Sequence, residues 1–287
     1  MLSYRHAFHA GNHADVLKHS VLIALIRYMQ QKEKPFAIID THAGAGFYAL
    51  TGKEAQKTAE FQAGIAKLWA VRDLPPFLAD YVDFIKGMNQ EALRHYPGSP
   101  LIAAKLLRSQ DALWAFERHP KDFRALDKLF ADKSHATKKI RLSDQDGFAG
   151  LKAQLPPISR RALAVIDPSY EEKQDYERVI FALKDAQTRF ATGTYMLWYP
   201  QLQTKGSVEL PKRLKKIAKD WLHVALSVAA PKDDGLGMMG SGLFVINPPW
   251  TLHNTLANAL PVMTQLLAEA NNGRFLLEKS EEAAEEK

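Results

Sequence analysis

Short apolar runs alternate with helix-period stretches along most of the 287-residue chain. FAIID at 36–40, LWAFE at 113–117, KIRLS at 139–143, ALAVID at 162–167, TYMLWY at 194–199, LHVALSV at 222–228 and GLFVINP at 242–248 each read as a short buried strand. Between them, apolar residues recur at helical spacing over 13–30, 100–109, 121–130, 172–188, 211–220 and 251–270. Strands that end in polar or turn residues and give way to helices build a parallel sheet covered on both faces. The last two strands are joined by the Gly-rich DDGLGMMGSG, which has no helical pattern, so that pair is expected to be antiparallel. The expected fold is α/β with seven strands.

One stretch breaks the alternation. About seventy residues separate Asp40 from Leu113, far more than a crossover helix needs. Within it Leu68, Trp69 and Val71, then Phe77, Leu78, Tyr81, Val82, Phe84 and Ile85, keep helical spacing on either side of Pro75 and Pro76. Residues 50–97 are therefore expected to form a helical insertion in a domain made of 1–49 and 98–277. Seven strands with an antiparallel end match the methyltransferase variant of the Rossmann-like doubly wound sheet better than a plain dinucleotide-binding sheet.

Composition narrows the chemistry. The chain has no cysteine, which excludes disulfides, thiolate nucleophiles and thiolate metal centres. No apolar run reaches the roughly 18 residues of a membrane span, and MLSYRHAFHAGNHAD has no signal-peptide core. A cytoplasmic protein with no membrane association is expected. The final ten residues, EKSEEAAEEK at 278–287, hold five Glu against two Lys, a net −3, and read as a disordered acidic tail. The rest of the +6 chain thus carries +9, a basic body that suits an anionic partner such as nucleic acid.

D-T-H-A-G-A-G-F-Y-A at 40–49 follows the first strand. Gly44 and Gly46 permit a tight turn against a ligand. With Ala49 they satisfy the dinucleotide fingerprint. An acid at the strand end followed by G-x-G is also the pattern of S-adenosylmethionine (AdoMet) methyltransferases. Asp40 favours the second ligand, which carries a sulfonium and an ammonium, because a carboxylate repels a pyrophosphate.

D-P-S-Y-E at 167–171 ends the fourth strand and lies close to the (D/N)-P-P-(Y/F) signature of enzymes that methylate exocyclic or amide nitrogens. The Asp167 carboxylate and the Pro168 carbonyl suit the two hydrogens of an amino group, and Tyr170 supplies a face for a flipped base. Ser169 replaces the usual second proline. N-P-P-W at 247–250 matches the signature more literally, but it follows the seventh strand, so it is read as a packed turn.

Further strand ends complete a cofactor outline: Glu117 for ribose hydroxyls, and Asp146 with Gly147 for an adenine. At the amino terminus, His6, His9, His13 and His19 crowd into nineteen residues. Asp15 and His19 share a helix face, but no second carboxylate cluster accompanies them, so no metal is expected. Tyr4, Arg5 and His6 form a polar-aromatic arm. Lys18, His19 and His42 suit the carboxylate of the cofactor's methionine. In PKRLKKIAKD at 211–220, Lys212, Lys215, Lys216 and Lys219 fall on one helical face, a candidate phosphate track.

These motifs together resemble the bacterial 23S ribosomal RNA adenine-N6 methyltransferases of the J type. The resemblance covers nearly the whole chain and is carried by MLSYRHAFHAGNHADVLKH, DTHAGAG, YPGSPLIA at 96–103, SRRALAVIDPSYE and GLFVINPPW. It implies a monomeric AdoMet-dependent enzyme without an obligate protein partner. The implied substrate is protein-free 23S rRNA, methylated during ribosome assembly at the N6 of adenine 2030. By motif position it implicates His19, His42, Ser99, Glu117, Asp146 and Gly147 in cofactor binding, Asp167 in catalysis, and Tyr4 and His6 in substrate contact. Ser99 enters through the resemblance alone. On the residues themselves, a nicotinamide-dependent oxidoreductase using Gly44, Gly46 and Ala49 and a non-catalytic RNA-binding protein using the basic stripe stay open. Within the methyltransferase class, DNA adenine or protein glutamine also fits the residues around Asp167.

Overall fold

A computed structural model describes residues 5–131, 139–235, 237–270 and 272–281. An eight-stranded sheet runs in the order β10-β8-β9-β7-β6-β1-β4-β5. Its strands are β1 (Ala37–Asp40), β4 (Ala112–Phe116), β5 (Lys139–Ser143), β6 (Ala162–Ile166), β7 (Thr194–Gln201), β8 (Trp221–Ser227), β9 (Gly240–Ile246) and β10 (Arg274–Lys279). Pairing is parallel from β5 through β4, β1 and β6 to β7. It is antiparallel between β7 and β9, β9 and β8, and β8 and β10. The expected antiparallel pair is present, and β9 lies between β7 and β8.

Central strands are apolar on both faces because helices cover both sides. Every residue of β1, β6 and β9 is buried. One covering helix, α1 (His13–Gln30), is capped by the Asn12 side chain, which accepts from Asp15 N. Most of its residues are buried, because it is enclosed by the sheet and by the helices α4 (Pro76–Lys86) and α5 (Ser99–Leu106).

Residues 50–97 hold α2 (Lys53–Thr58), a 3-10 turn (Glu60–Ala63), α3 (Ile65–Trp69) and α4. They also hold β3 (His95–Pro97), which pairs antiparallel with β2 (Phe47–Ala49). This ribbon has a consequence for the site. The segment after Gly46 is a strand rather than a helix, and Gly98 N donates to Gly46 O at 2.8 Å. The ribbon therefore returns the chain to the glycine loop, and α5 starts beside it. Leu68, Leu78, Tyr81, Val82 and Ile85 join the same hydrophobic core as α1 and the sheet.

The sequence reading needs three corrections. An eighth strand, β10, extends the sheet. Glu278 and Lys279, assigned to the acidic tail, belong to it; residues 282–287 of that tail lie outside the described residues. The strand covers the edge of β8, where unpaired backbone groups would otherwise remain. The basic helix, α9, spans Lys205–Lys215 instead of 211–220, with Pro211 inside it. Lys216 is only its cap and Lys219 lies beyond, because the chain must turn into β8 at Trp221. Lys215 pairs with Glu278 at 2.6 Å and lies over the Trp221 ring. The four lysines therefore do not form one helical stripe.

Candidate active site

A cleft of about 740 Å³ opens at the carboxyl ends of the parallel strands. It is lined by Lys18, His19, His42, Gly44, Ser99, Glu117, Asp146, Gly147, Asp167, Pro168, Tyr170 and His6. Lys212, Lys215, Lys216 and Lys219 do not line it. Tyr4 lies outside the described residues.

The loop after β1 forms its floor. Gly44 and Gly46 have φ of +63° and +76°, a region that disfavours other residues. Gly44 N donates to Glu117 Oε2 at 2.7 Å and His119 N to Oε1 at 2.6 Å, which fixes the Glu117 carboxylate; burial raises its pKa. Asp40 lies beneath the cleft, fully buried. Burial pushes its carboxyl up to about 7, although the Ser99 hydroxyl and His42 N draw the other way. Its Oδ2 has no partner of hydrogen-bonding geometry among the described residues.

The loop after β5 closes against the loop after β1. A Cβ on Gly147 would lie 1.8 Å from Thr41 O, so only glycine fits there. Asp146 caps α7 (Gly147–Gln154) by accepting from Ala149 N at 2.9 Å, and its Oδ2 accepts from Arg178 at 2.6 Å. Phe148 meets the His42 ring edge at 5.1 Å. His42 is half-buried, and desolvation lowers its pKa to about 4, leaving a neutral imidazole with Nδ1 2.7 Å from Thr41 Oγ1.

Asp167 follows β6. Its Oδ2 lies 2.6 Å from Lys18 Nζ, and that ammonium is 3.0 Å from Asp15 Oδ1 and 5.8 Å from the centre of the Trp198 ring. Burial alone would lower the pKa of Lys18, but Asp15 and Asp167 outweigh it and raise it, so the ammonium persists. Lys18, expected from the sequence to suit the cofactor's carboxylate, is thus paired with two carboxylates of the protein. Tyr170 has φ +54° and its hydroxyl donates to Trp198 O at 2.8 Å. Its ring packs 4.8 Å from Tyr176. That anchor holds the loop at the position where Ser169 replaces a proline.

His19 places Nδ1 2.9 Å from the Tyr96 hydroxyl and leaves Nε2 without a hydrogen-bond partner among the described residues. Burial takes its pKa to about 3, so it is neutral. His6 Nε2 lies 2.9 Å from Asp15 Oδ2.

N-P-P-W sits at the other edge of the sheet. β9 runs against β7, so Ile246 lies beside Tyr195 at the start of β7. Asn247 has φ +52°, and its Nδ2 donates to Ala191 O at 2.7 Å and to Gly193 O at 2.6 Å. It is a tied turn, as its position after the seventh strand suggested, but it is not packed throughout: the Trp250 side chain is 80% exposed.

Sequence reasoning missed Asp15 as a partner of Lys18, and missed Arg178, Trp198 and Tyr48, which also line the cleft. Asp15 had a signal, since it stands three residues before Lys18 and so shares its helix face. The others come from distant segments without a motif.

The order β5-β4-β1-β6-β7-β9-β8, with β9 antiparallel, and four acidic strand ends around one cleft define a methyltransferase of the doubly wound class. Comparison with known proteins takes this further. The family model described as "Ribosomal RNA large subunit methyltransferase D, RlmJ" matches residues 33–278, and the chain belongs to that family. The ribosomal RNA large subunit methyltransferase J of Escherichia coli (strain K12) is 46% identical over 282 residues, covering 95% of this chain and 96% of that one. Its Haemophilus influenzae namesake is 45% identical over 281 residues, 97% and 98% of the two chains. A crystal structure of protein LPL1258 from Legionella pneumophila superposes with a TM-score of 0.87 at 35% identity, over 95% and 98% of the chains.

Proposed function

We propose that this protein transfers a methyl group from AdoMet to the N6 of one adenine, position 2030, in protein-free 23S ribosomal RNA during ribosome assembly. The observation that carries the reading is Asp167 at the end of β6, held by Lys18 at 2.6 Å in a cleft with Tyr170. The names of the two curated relatives supply the ribosomal RNA substrate class.

The cleft suits a cationic ligand. Acidic side chains outnumber Lys and Arg in its lining by nine to three. Deeply buried Asp40 Oδ2 and His19 Nε2, without a hydrogen bond of normal geometry among the described residues, are the kind of atoms that a polar ligand satisfies. Asp40, with His19, His42 and Ser99, would hold the methionine end, Glu117 the ribose hydroxyls, and Asp146 with Gly147 the adenine. Gly44 lines the cleft without a side chain, whereas Gly46 lets the loop pack against Leu126, Leu129 and Pro100. AdoMet supplies a methyl group activated on a sulfonium.

An adenine N6 is a weak nucleophile because its lone pair is delocalised into the ring. Asp167 Oδ1, without a partner among the described residues, accepts one amino hydrogen and the Pro168 carbonyl accepts the other. Both pull the nitrogen toward sp³ geometry, with its lone pair aimed at the methyl group. Tyr170 borders the base. His6 and Tyr4 contact the RNA from the amino-terminal arm, which residues 50–97 seat as an inserted unit. The protein acts as a cytoplasmic monomer, without a metal, membrane or obligate protein partner.

A nicotinamide reading loses its footing, because the dinucleotide fingerprint opens a helix whereas Phe47–Ala49 is a strand. The test is methyl transfer from labelled AdoMet to protein-free 23S rRNA from cells lacking this protein, followed by nucleoside analysis. Label in N6-methyladenosine is expected. Label in another nucleoside, or none while AdoMet binds, overturns the substrate.

A further inference from the structure

Asp15 has no part in the transfer just described, yet it is among the most completely buried charges in the protein, with a side chain 1% exposed. Its Oδ2 accepts from Gly11 N at 2.8 Å and lies 2.9 Å from His6 Nε2. Its Oδ1 lies 3.0 Å from Lys18 Nζ and 3.8 Å from His19 Nε2. Burial alone would raise its pKa, but His6, Lys18 and His19 together hold it well below the usual carboxylate range.

The backbone that makes these contacts is constrained from several directions. Gly11 takes φ +79°, and a Cβ there would come within 3.0 Å of Ile65 Cγ2. Gly11 O accepts from Ile65 N at 2.9 Å, which ties this turn to the inserted helices. Asn12 caps α1 at Asp15 N. Asp15 is thus fixed by α1, the turn before it and the insertion, whereas Asp167 stands on a loop across the cleft. Between them lies Lys18, a side chain with a flexible four-carbon stem and three donors. A lysine held by one carboxylate alone has many rotamers available; a second carboxylate, one helical turn back, removes most of them.

We infer that Asp15 is a positioning residue for methyl transfer, holding the Lys18 ammonium in place against Asp167 Oδ2. The inference rests on the proposed role of Asp167. Two carboxylates sharing one ammonium leave a net negative charge, which Asp167 Oδ1 presents to the cleft. Lys18 also fixes the rotation of the Asp167 carboxylate by binding only one of its oxygens. Through Oδ2 the same Asp15 touches His6, so the amino-terminal arm and the reacting carboxylate are set by one buried group.

The test compares Asp15→Asn, Lys18→Met and the double variant, alongside Asp15→Glu as the charge-conserving control. Asp15→Asn is expected to lower kcat on the order of a hundredfold, the scale of a misplaced reacting group, with the KM for AdoMet within about twofold. Its effect is expected to vanish in the Lys18→Met background, and Asp15→Glu to recover part of the rate. Full activity in Asp15→Asn, or an equal loss with and without Lys18, overturns the inference. If Asp15→Asn does not fold, Asp15→Ser, which also removes the charge, replaces it in the cycle under the same criteria.

A second readout needs no RNA. In protein labelled with ¹⁵N-lysine, the Lys18 ammonium signal, assigned by Lys18→Met, is expected to move in Asp15→Asn and in Asp167→Asn. An unmoved signal in Asp15→Asn overturns the inference. Failure of the wild type to methylate rRNA would instead sink the substrate assignment and leave this signal to decide the role of Asp15.

Discussion

The two edges of the sheet carry nearly the same motif and opposite chemistry. At the carboxyl edge of the parallel strands, Asp167-Pro168-Ser169-Tyr170 borders a cleft lined by nine acids and three Lys or Arg. At the other edge, Asn247-Pro248-Pro249 borders a second cavity of about 560 Å³, lined by Lys32, Lys34, Arg160 and Arg161 and no acid. A sulfonium and an ammonium are attracted to the first and repelled by the second. Within each site the motif's first side chain is also used differently. Asn247 donates both amide hydrogens to backbone carbonyls, whereas Asp167 pairs through Oδ2 with the Lys18 ammonium. A four-residue match therefore says little until strand direction shows which edge it faces.

The largest effect that would break this contrast is at Asp167. Asp167→Ala is expected to lower kcat on the order of a thousandfold, within the range of general acid–base groups, while AdoMet still binds by calorimetry. Activity close to that of the wild type would move the reaction elsewhere. Next comes Glu117→Ala, which removes acceptors from the proposed ribose site. AdoMet affinity is expected to fall roughly ten- to a hundredfold, about the worth of one hydrogen bond to a charged group, with little change in kcat at saturation.

Asp40 gives a pH test of the same acidic edge. Its carboxyl is pushed up to about 7 from 3.8, so burial favours the protonated form. The stability this group contributes is complete below about 3.8 and is lost as pH rises through about 7. The bound cation favours the ionised form. AdoMet affinity is therefore expected to rise with pH, by up to roughly tenfold per pH unit below about 7, and then level off. Asp40→Asn should remove that dependence, and a flat profile in the wild type would show that Asp40 does not meet the ligand's charge.

The smallest expected change in activity is at the other edge. Asn247→Ala should leave kcat within about twofold, yet it breaks two hydrogen bonds and forces an alanine to φ +52°. Thermal or denaturant unfolding should show a loss of about 1–3 kcal/mol. Equal loss of activity from Asn247→Ala and Asp167→Ala would erase the distinction between the edges.

Much of this was legible along the chain. α1 was expected at 13–30 and is His13–Gln30, because helical spacing records which residues are buried. β5 was expected as a buried strand at 139–143 and is Lys139–Ser143, but it lies at the sheet edge and none of its residues is buried. Asp40, Glu117, Asp146 and Asp167 stood at four successive strand ends, and the fold brings all four to one edge. Other features left no local trace. β10 is an exposed edge strand whose RFLLEK has no alternation. The helix expected over 211–220 instead starts at Lys205, with Pro211 internal to α9. Ser99 lies far in sequence from Gly46, and only the β2–β3 ribbon returns it to the glycine loop.

Sequence by itself determined the alternation of strands and helices, the insertion point after the glycine loop and the residue types at the strand ends, since these depend on neighbours a few positions apart. Tertiary structure alone decided that Lys18 binds Asp15 and Asp167 and that β9 reverses to carry Asn247 away from the cleft. It also decided that the basic residues near α9 form no stripe. Those outcomes turn on which charges are desolvated together and which way a strand runs, and both are set by contacts between segments distant in the chain.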